Sequence, residues 1–381
     1  MFLVWTGPRI CERCFGQQVP EQSAPIIGTG STYQALAEAI SDCMIPSAPT
    51  LTGESEDARL VSLRAWLGPL APRYGLTLST LQPASVDASS RRYFRVDGEG
   101  DTLIAMDAPP ATEDSRPFVR VAGLMRTAGV HVPDVLVSDL AQGFLLLSDL
   151  GTATYLTSLT DANADELFAD AIDAVIRWQL STTDEALPPY DEKLLRRELS
   201  LFPEWFVARH IKRHLTAAQE RVLAQMFNFI VSRNLAQPKV FVHRDYMPRN
   251  LMVSNPNPGV LDFQDAVIGP ISYDVVSLFR DAFISWDNAR VRAWTRLYFD
   301  RARAVGLPVG LDFDAFWRDF EWMGLQRHLK VLGIFARIRY RDGKPHYLED
   351  APRFISYVRD VVERYDELKP LAGLFDELGL A

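Results

Sequence analysis

The stretch 239–265, KVFVHRDYMPRNLMVSNPNPGVLDFQD, constrains this chain more than any other. Apolar Val240, Phe241 and Val242 run into His243-Arg244-Asp245, and Asn250 follows five residues after Asp245. Leu251-Met252-Val253, a Pro/Asn/Gly turn and Val260-Leu261-Asp262 complete the stretch. Apolar runs this short, bounded by turn residues, are too brief for helices and predict strand, loop, strand, turn, strand. Asp245, Asn250 and Asp262 then stand at the mouths of a small sheet. That set suits phosphoryl transfer: one carboxylate accepts the proton of an attacking hydroxyl, while a carboxamide and a second carboxylate hold magnesium on nucleotide phosphates. A purely structural reading of the same residues is a buried His and Asp capping a β-turn.

The order His-x-Asp, then Asn, then Asp-Phe resembles the catalytic segment of the protein-kinase-like superfamily. Asp262-Phe263-Gln264 lacks the glycine of the protein-kinase version, and Gly269-Pro270-Ile271-Ser272-Tyr273-Asp274 follows closely. The resemblance is therefore to the small-molecule branch, the aminoglycoside phosphotransferase-like kinases. It implies an α+β, bilobal protein-kinase-like fold. The N-terminal lobe would be a small antiparallel β-sheet plus one helix, and the C-terminal lobe larger, mostly helical, with a small catalytic β-sheet. It also implies Asp245 as catalytic base, Asn250 and Asp262 as Mg2+ ligands, ATP as donor, and structural roles for His243 and Asp274, the latter bonding the catalytic-loop backbone.

Residues 1–56 mix Gly, Ser, Thr and Pro around one possible short helix at 33–43, a composition that suits a flexible extension. The cysteines Cys11, Cys14 and Cys43 all fall there, and a lone Cys-x-x-Cys is a weak metal or redox signal. From Asp57 the pattern changes: Leu60, Leu63, Leu67 and Leu70 make a helical stripe ending at Pro72 and Gly75. We assign 57–148 to the nucleotide-binding lobe and 149–381 to the catalytic and substrate-binding lobe.

Segment 85–106 predicts a hairpin with strands at 93–96 and 102–106. Its first turn would lie over the nucleotide phosphates, making Ser89, Ser90, Arg91 and Arg92 candidate contacts. Kinase-like enzymes usually carry a lysine where Met106 stands and a partner glutamate near Phe118; here both are apolar, which spares the fold an unpaired buried charge. Such a chain is either a pseudokinase or an enzyme with a replacement cation. The intact Asp245, Asn250 and Asp262 favour the second, with Arg91 and Arg92 as replacements. Strands at 135–138 and 144–148 lead to Asp149-Leu150-Gly151, the expected hinge against adenine.

The filling of the motifs sharpens the resemblance. Segments 243–252, 90–95, 106–110 and 116–120 are similar to the bacterial anomeric kinases of cell-wall amino sugars, which act on N-acetylmuramate and N-acetylglucosamine in peptidoglycan recycling. The similarity covers Asp57 onward, and methionine in place of the strand lysine belongs to that family's pattern. Glu198, Glu204 and Trp205 are the candidate sugar contacts. Arg327 and Lys330 are candidate partners for the lactyl carboxylate of N-acetylmuramate. Kinases of aminoglycosides or amino alcohols would share the catalytic residues, but polycationic antibiotics need an acidic pocket and 326–339 is rich in Arg, Lys and His.

A formal charge of −9 disfavours a nucleic-acid surface, and no run approaches a membrane span. The expectation is a cytoplasmic chain, read as a monomer, whose partner is a small amino sugar.

Overall fold

The computed structural model describes residues 57–84, 91–183 and 186–380. The extension 1–56, its cysteines, and Ser89 and Ser90 lie outside the described residues. Helix α1 (Ala58–Leu67) begins where the Asp57 carboxylate accepts the backbone N–H groups of Arg59 and Leu60. Gly75, at φ 62°, turns the chain toward the sheet, and a Cβ there would lie 2.7 Å from that of Glu99.

Five antiparallel strands follow: β1 (Thr77–Pro83), β2 (Arg92–Asp97), β3 (Thr102–Asp107), β4 (Val135–Asp139) and β5 (Phe144–Ser148), in the order β1-β2-β3-β5-β4. The expected hairpin and the pair before the hinge are all present; β1 is an addition that the helical stripe before it did not announce. Alternation along the strands divides the side chains between two cores. Phe94, Val96, Ala105, Phe144 and Leu146 pack on Leu63 and Leu67 of α1. Tyr93, Met106, Leu145 and Leu147 face the other way, with Phe118, Val121 and Met125 of α2 (Arg116–Thr127). Strand β5, between β3 and β4, is buried on both faces, which is why its sequence is a continuous apolar run rather than an alternating one.

Beyond Ser148 the chain is chiefly helical, with α3 (Ala164–Leu180), α4 (Glu192–Leu201), α5 (Ala217–Leu235), then after the catalytic strands α6 (Tyr273–Phe279), α7 (Asn288–Ala304), α8 (Phe313–Asp342), α9 (Ala351–Val362) and α10 (Lys369–Leu378). Helix α8 is the axis of this lobe, buried all round from Phe320 to Ala336. Gly333 permits the closest approach, since a Cβ would meet the Leu201 carbonyl carbon at 2.4 Å. After α4 the chain widens into a π-helix over Phe202–His210; Pro203 has no N–H to return to the carbonyl of Leu199, so the α pattern cannot continue.

The catalytic strands form two ladders rather than one sheet. Strand β6 (Lys239–Val242) pairs with β9 (Val267–Pro270), and β7 (Leu251–Met252) with β8 (Gly259–Val260). Single bridges from His131 to Gly259 and from Thr154 to Met252 pin the small hairpin to its surroundings. Among the described residues no helix is long and apolar enough to cross a membrane.

Candidate active site

The catalytic loop starts where β6 ends. Asp274, in the first turn of α6, accepts the backbone N–H groups of His243 at 2.7 Å and Arg244 at 3.0 Å. Those two bonds hold Arg244 at φ 77°, a left-handed conformation uncommon for a residue with a side chain. Asp274 thus has the backbone-holding position expected of it, and burial pushes its carboxyl up to about 7 against those bonds.

His243 fixes the spacing of the site. Its Nε2 donates to the Leu261 carbonyl at 3.0 Å, so Nδ1 is bare and accepts the Asp245 backbone N–H at 3.2 Å. Complete burial pushes the imidazole down to about 4, which keeps that neutral tautomer near pH 7. One ring therefore ties the loop that carries Asp245 to the residue before Asp262.

Asn250 closes a single 3-10 turn, Pro248–Asn250. Its Nδ2 donates to the Asp245 carbonyl at 2.9 Å and lies 3.4 Å from an Asp262 carboxylate oxygen. The other Asp262 oxygen accepts Gln264 Nε2 at 2.8 Å, and Asp262 itself sits at φ 63°. Burial, then the charge of Asp245, raise the Asp262 carboxyl above its usual range. For Asp245 burial works in the same direction, and the cations Lys330 and Arg244 act against it. Two facing carboxylates and an amide oxygen make a locus that a divalent cation would relieve.

Behind Asp245 lies a charged cluster that the sequence reading did not assemble. Glu198 of α4 accepts Arg244 at 2.8 Å, Lys330 of α8 at 2.9 Å, Gln326 at 3.2 Å and the Tyr190 hydroxyl. Lys330 also donates to the Tyr273 hydroxyl at 3.0 Å. Burial opposes both charges, yet the Lys330 ammonium, then Arg244, hold Glu198 low, and Glu198 holds Lys330 high. Glu198 and Lys330, expected as a sugar contact and as a lactyl-carboxylate partner respectively, are buried counter-ions of each other, and Glu198 also holds Arg244 of the loop. Arg327 is buried too, donating to the Arg280 carbonyl at 3.3 Å. Glu204 is exposed and Trp205 half-buried on the π-helix. The one available signal for the cluster was the position of Glu198 on the apolar stripe Leu195, Leu199, Phe202, where a carboxylate needs partners.

In the smaller lobe, Met106 is fully buried and Phe118 packs on Phe263 with ring centroids 4.8 Å apart, so the usual ion pair is replaced by an apolar contact reaching the Asp262 motif. Arg92 points away from this contact: it shares buried Asp107 with Arg59 and also pairs with Asp57, on the α1 face of the sheet. Arg91, one residue earlier, pairs with Glu113 at 3.1 Å. At the hinge the Asp149 carboxylate accepts Arg95 at 3.0 Å and Thr102 at 2.7 Å, so only backbone there is left for a base. Burial opposes that carboxylate's charge, and Arg95 and Thr102 nevertheless hold it low. Leu150 is buried beside Gly259.

The profile of the phosphotransferase enzyme family matches residues 80–307. The N-acetylmuramate/N-acetylglucosamine kinase of Pseudomonas putida is 52% identical over 329 residues, which span 84% of this chain and 97% of that protein. A protein of the same name from Neisseria meningitidis serogroup B is 46% identical over 325 residues, 84% of this chain and 96% of its own. Among solved structures, an ADP-bound aminoglycoside phosphotransferase matches with a TM-score of 0.52 at 14% identity, covering 79% of this chain and 97% of that one, a likeness of fold.

Proposed function

This chain belongs to the phosphotransferase enzyme family, and from that premise we propose that it is an ATP-dependent kinase of the anomeric hydroxyl of N-acetylmuramate and N-acetylglucosamine. The observation that carries this reading is the convergence of Asp245, Asn250 and Asp262 in a chain that has relatives of that name 46% and 52% identical over nearly their whole length.

Asp245 orients the hemiacetal hydroxyl and takes its proton as the bond to phosphorus forms. A hemiacetal hydroxyl is more acidic than an ordinary alcohol, so an ionised carboxylate suffices as a late base. The Asn250 side-chain oxygen and the Asp262 carboxylate fit a magnesium ion: Asn250 Nδ2 is spent on the Asp245 carbonyl, and Asp262 is a buried carboxylate pressed by a second one. When bound, that ion neutralises charge on the nucleotide phosphates. The backbone at 149–150 pairs with the adenine edge while Leu150 walls it. Arg91, freed from Glu113 as the phosphates arrive, supplies the cation that the missing strand lysine would have given. The product is a sugar 1-phosphate, which suits recycling of cell-wall sugars in the compartment that holds ATP, the cytoplasm.

Phosphorus NMR of the reaction with ATP, magnesium and each sugar tests the reading. A phosphate signal coupled to the anomeric proton, with loss of the reducing end, is expected. A phosphorylated product that keeps its reducing end, or none from either sugar, would overturn it.

A further inference from the structure

Resting on the reading of this chain as an ATP-dependent kinase, we propose that the ion pair of Arg95 with Asp149 selects the nucleotide. It pins the hinge so that the Leu150 N–H meets N1 of adenine, and a guanine is thereby refused.

Both oxygens of the Asp149 carboxylate are spent, and its side chain is only 5% exposed. Oδ1 accepts the Gly151 N–H at 2.9 Å and Arg95 Nη2 at 3.0 Å, while Oδ2 accepts the Thr102 hydroxyl at 2.7 Å and Arg95 Nε. Arg95 Nη2 also donates to the Gly151 carbonyl at 3.0 Å. Two strands of the small lobe, β2 through Arg95 and β3 through Thr102, thus hold the chain just beyond β5, and both backbone groups of Gly151 are occupied. Gly151 sits at φ 97°, which its lack of a side chain allows. Leu150 is wedged from the other lobe, since a Cβ on Gly259 would lie 2.8 Å from its Cδ1. The Ser148 N–H is spent on the Asp134 carbonyl at 3.0 Å, whereas among the described residues the Leu150 N–H has no hydrogen-bond partner.

The bond from the Gly151 N–H to Asp149 Oδ1 closes a ring through ψ of Asp149 and both torsions of Leu150. Flipping the peptide between Asp149 and Leu150 turns two of those torsions in opposite senses, and the carboxylate would have to swing to follow. Held by Arg95 and Thr102, it stays, so the Leu150 N–H keeps one direction. Adenine offers an acceptor at N1, but guanine carries a hydrogen there and a carbonyl at C6 in place of the amino group. Guanine would set N–H against N–H, leaving two donors unpaired beside the apolar sheet face of Met106, Leu145 and Leu147. Only the flipped peptide, presenting the Asp149 carbonyl, would satisfy it.

The test is equilibrium titration of the full chain with ATP and with GTP, in magnesium and without sugar, for the wild type and for R95Q, R95K and T102V. The wild type should bind ATP at least about 100-fold more tightly than GTP, as a site built for one hydrogen-bond pattern does. R95Q should cut that preference about 10- to 100-fold, the factor carried by a charge-assisted hydrogen bond. R95K, which keeps the charge but not the fork, should fall between, and T102V should cut it by a smaller factor. A wild type that binds the two nucleotides alike overturns the proposal. So does an unchanged preference in R95Q, which is what a mere brace of the small lobe would give, with both affinities falling together or neither. Should R95Q fail to fold, an unchanged preference in both R95K and T102V overturns it equally. A wild type that binds neither nucleotide would instead sink the ATP-dependent reading itself.

Discussion

Replacing Glu198 by glutamine removes the one negative charge that Arg244 and Lys330 share in the interior behind Asp245. At contacts of 2.8 and 2.9 Å, each ion pair is worth about 6 kcal/mol of Coulomb energy for an effective dielectric of about 20. Desolvation offsets several kcal/mol per ion, so loss of one partner nets about 3–5 kcal/mol of destabilisation. Urea unfolding of E198Q should show a loss of that size. The double variant E198Q/K330M should recover much of it, because the second substitution removes the cation left stranded. Steady-state kinetics separate the two roles open to Glu198. As a counter-ion acting through Arg244, its loss lowers kcat with little change in KM for the sugar. A raised sugar KM at unchanged stability would place Glu198 on the substrate after all, and a cost under about 1 kcal/mol would show that water screens the cluster, as at an exposed pair.

Asp245→Asn should lower kcat by about 100- to 10,000-fold, the range for loss of a general base, with ATP affinity nearly intact by equilibrium titration; retained activity would remove Asp245 from that role. Arg91→Ala should raise the KM for ATP, whereas Arg92→Ala, which breaks the contacts to Asp57 and Asp107, should lower the melting temperature and leave that KM alone; the reverse pattern would relocate the phosphate cation. His328 is buried with neither ring nitrogen hydrogen-bonded, and burial holds it well below its usual 6.5, so it is neutral when folded and takes a proton on unfolding. Its contribution is present above pH 6.5 and is lost as pH falls below that value, by about 1.4 kcal/mol at pH 5.5. His328→Leu should therefore lose less stability than the wild type between pH 7.5 and 5.5 in urea titrations; equal losses would refute a neutral buried imidazole.

How much of this was legible in the chain follows from how local each feature is. The β2–β3 hairpin and the β4–β5 pair were readable because alternation and turn residues operate over a few positions. Strand β1 was not, since its residues Thr77–Pro83 are mostly polar or exposed and owe their extended form to pairing with β2. The π-helix after α4 carried a hint in Pro203, although a proline equally well ends a helix. The catalytic strands were located correctly, but their division into two ladders depends on β9, which pairs with β6 across a long separation.

By itself the sequence determined which polar groups are brought together. A carboxylate, a carboxamide and a second carboxylate at set spacing within one loop and hairpin need only local geometry to converge, and apolar residues at Met106 and Phe118 remove the usual ion pair wherever the helix packs. Tertiary structure decided which of the remaining charged side chains meet the site. Lys330 and Arg327 look like surface-helix residues in the sequence, yet α8 is buried all round and carries them inward, where Lys330 meets Glu198 of α4. Arg92 lies beside Arg91 in the chain, but strand alternation and the docking of α1 carry it to Asp57 and Asp107. Burial and pairing of an ionisable group are set by what packs over it, from segments far away in the chain, and a single local pattern carries no record of that.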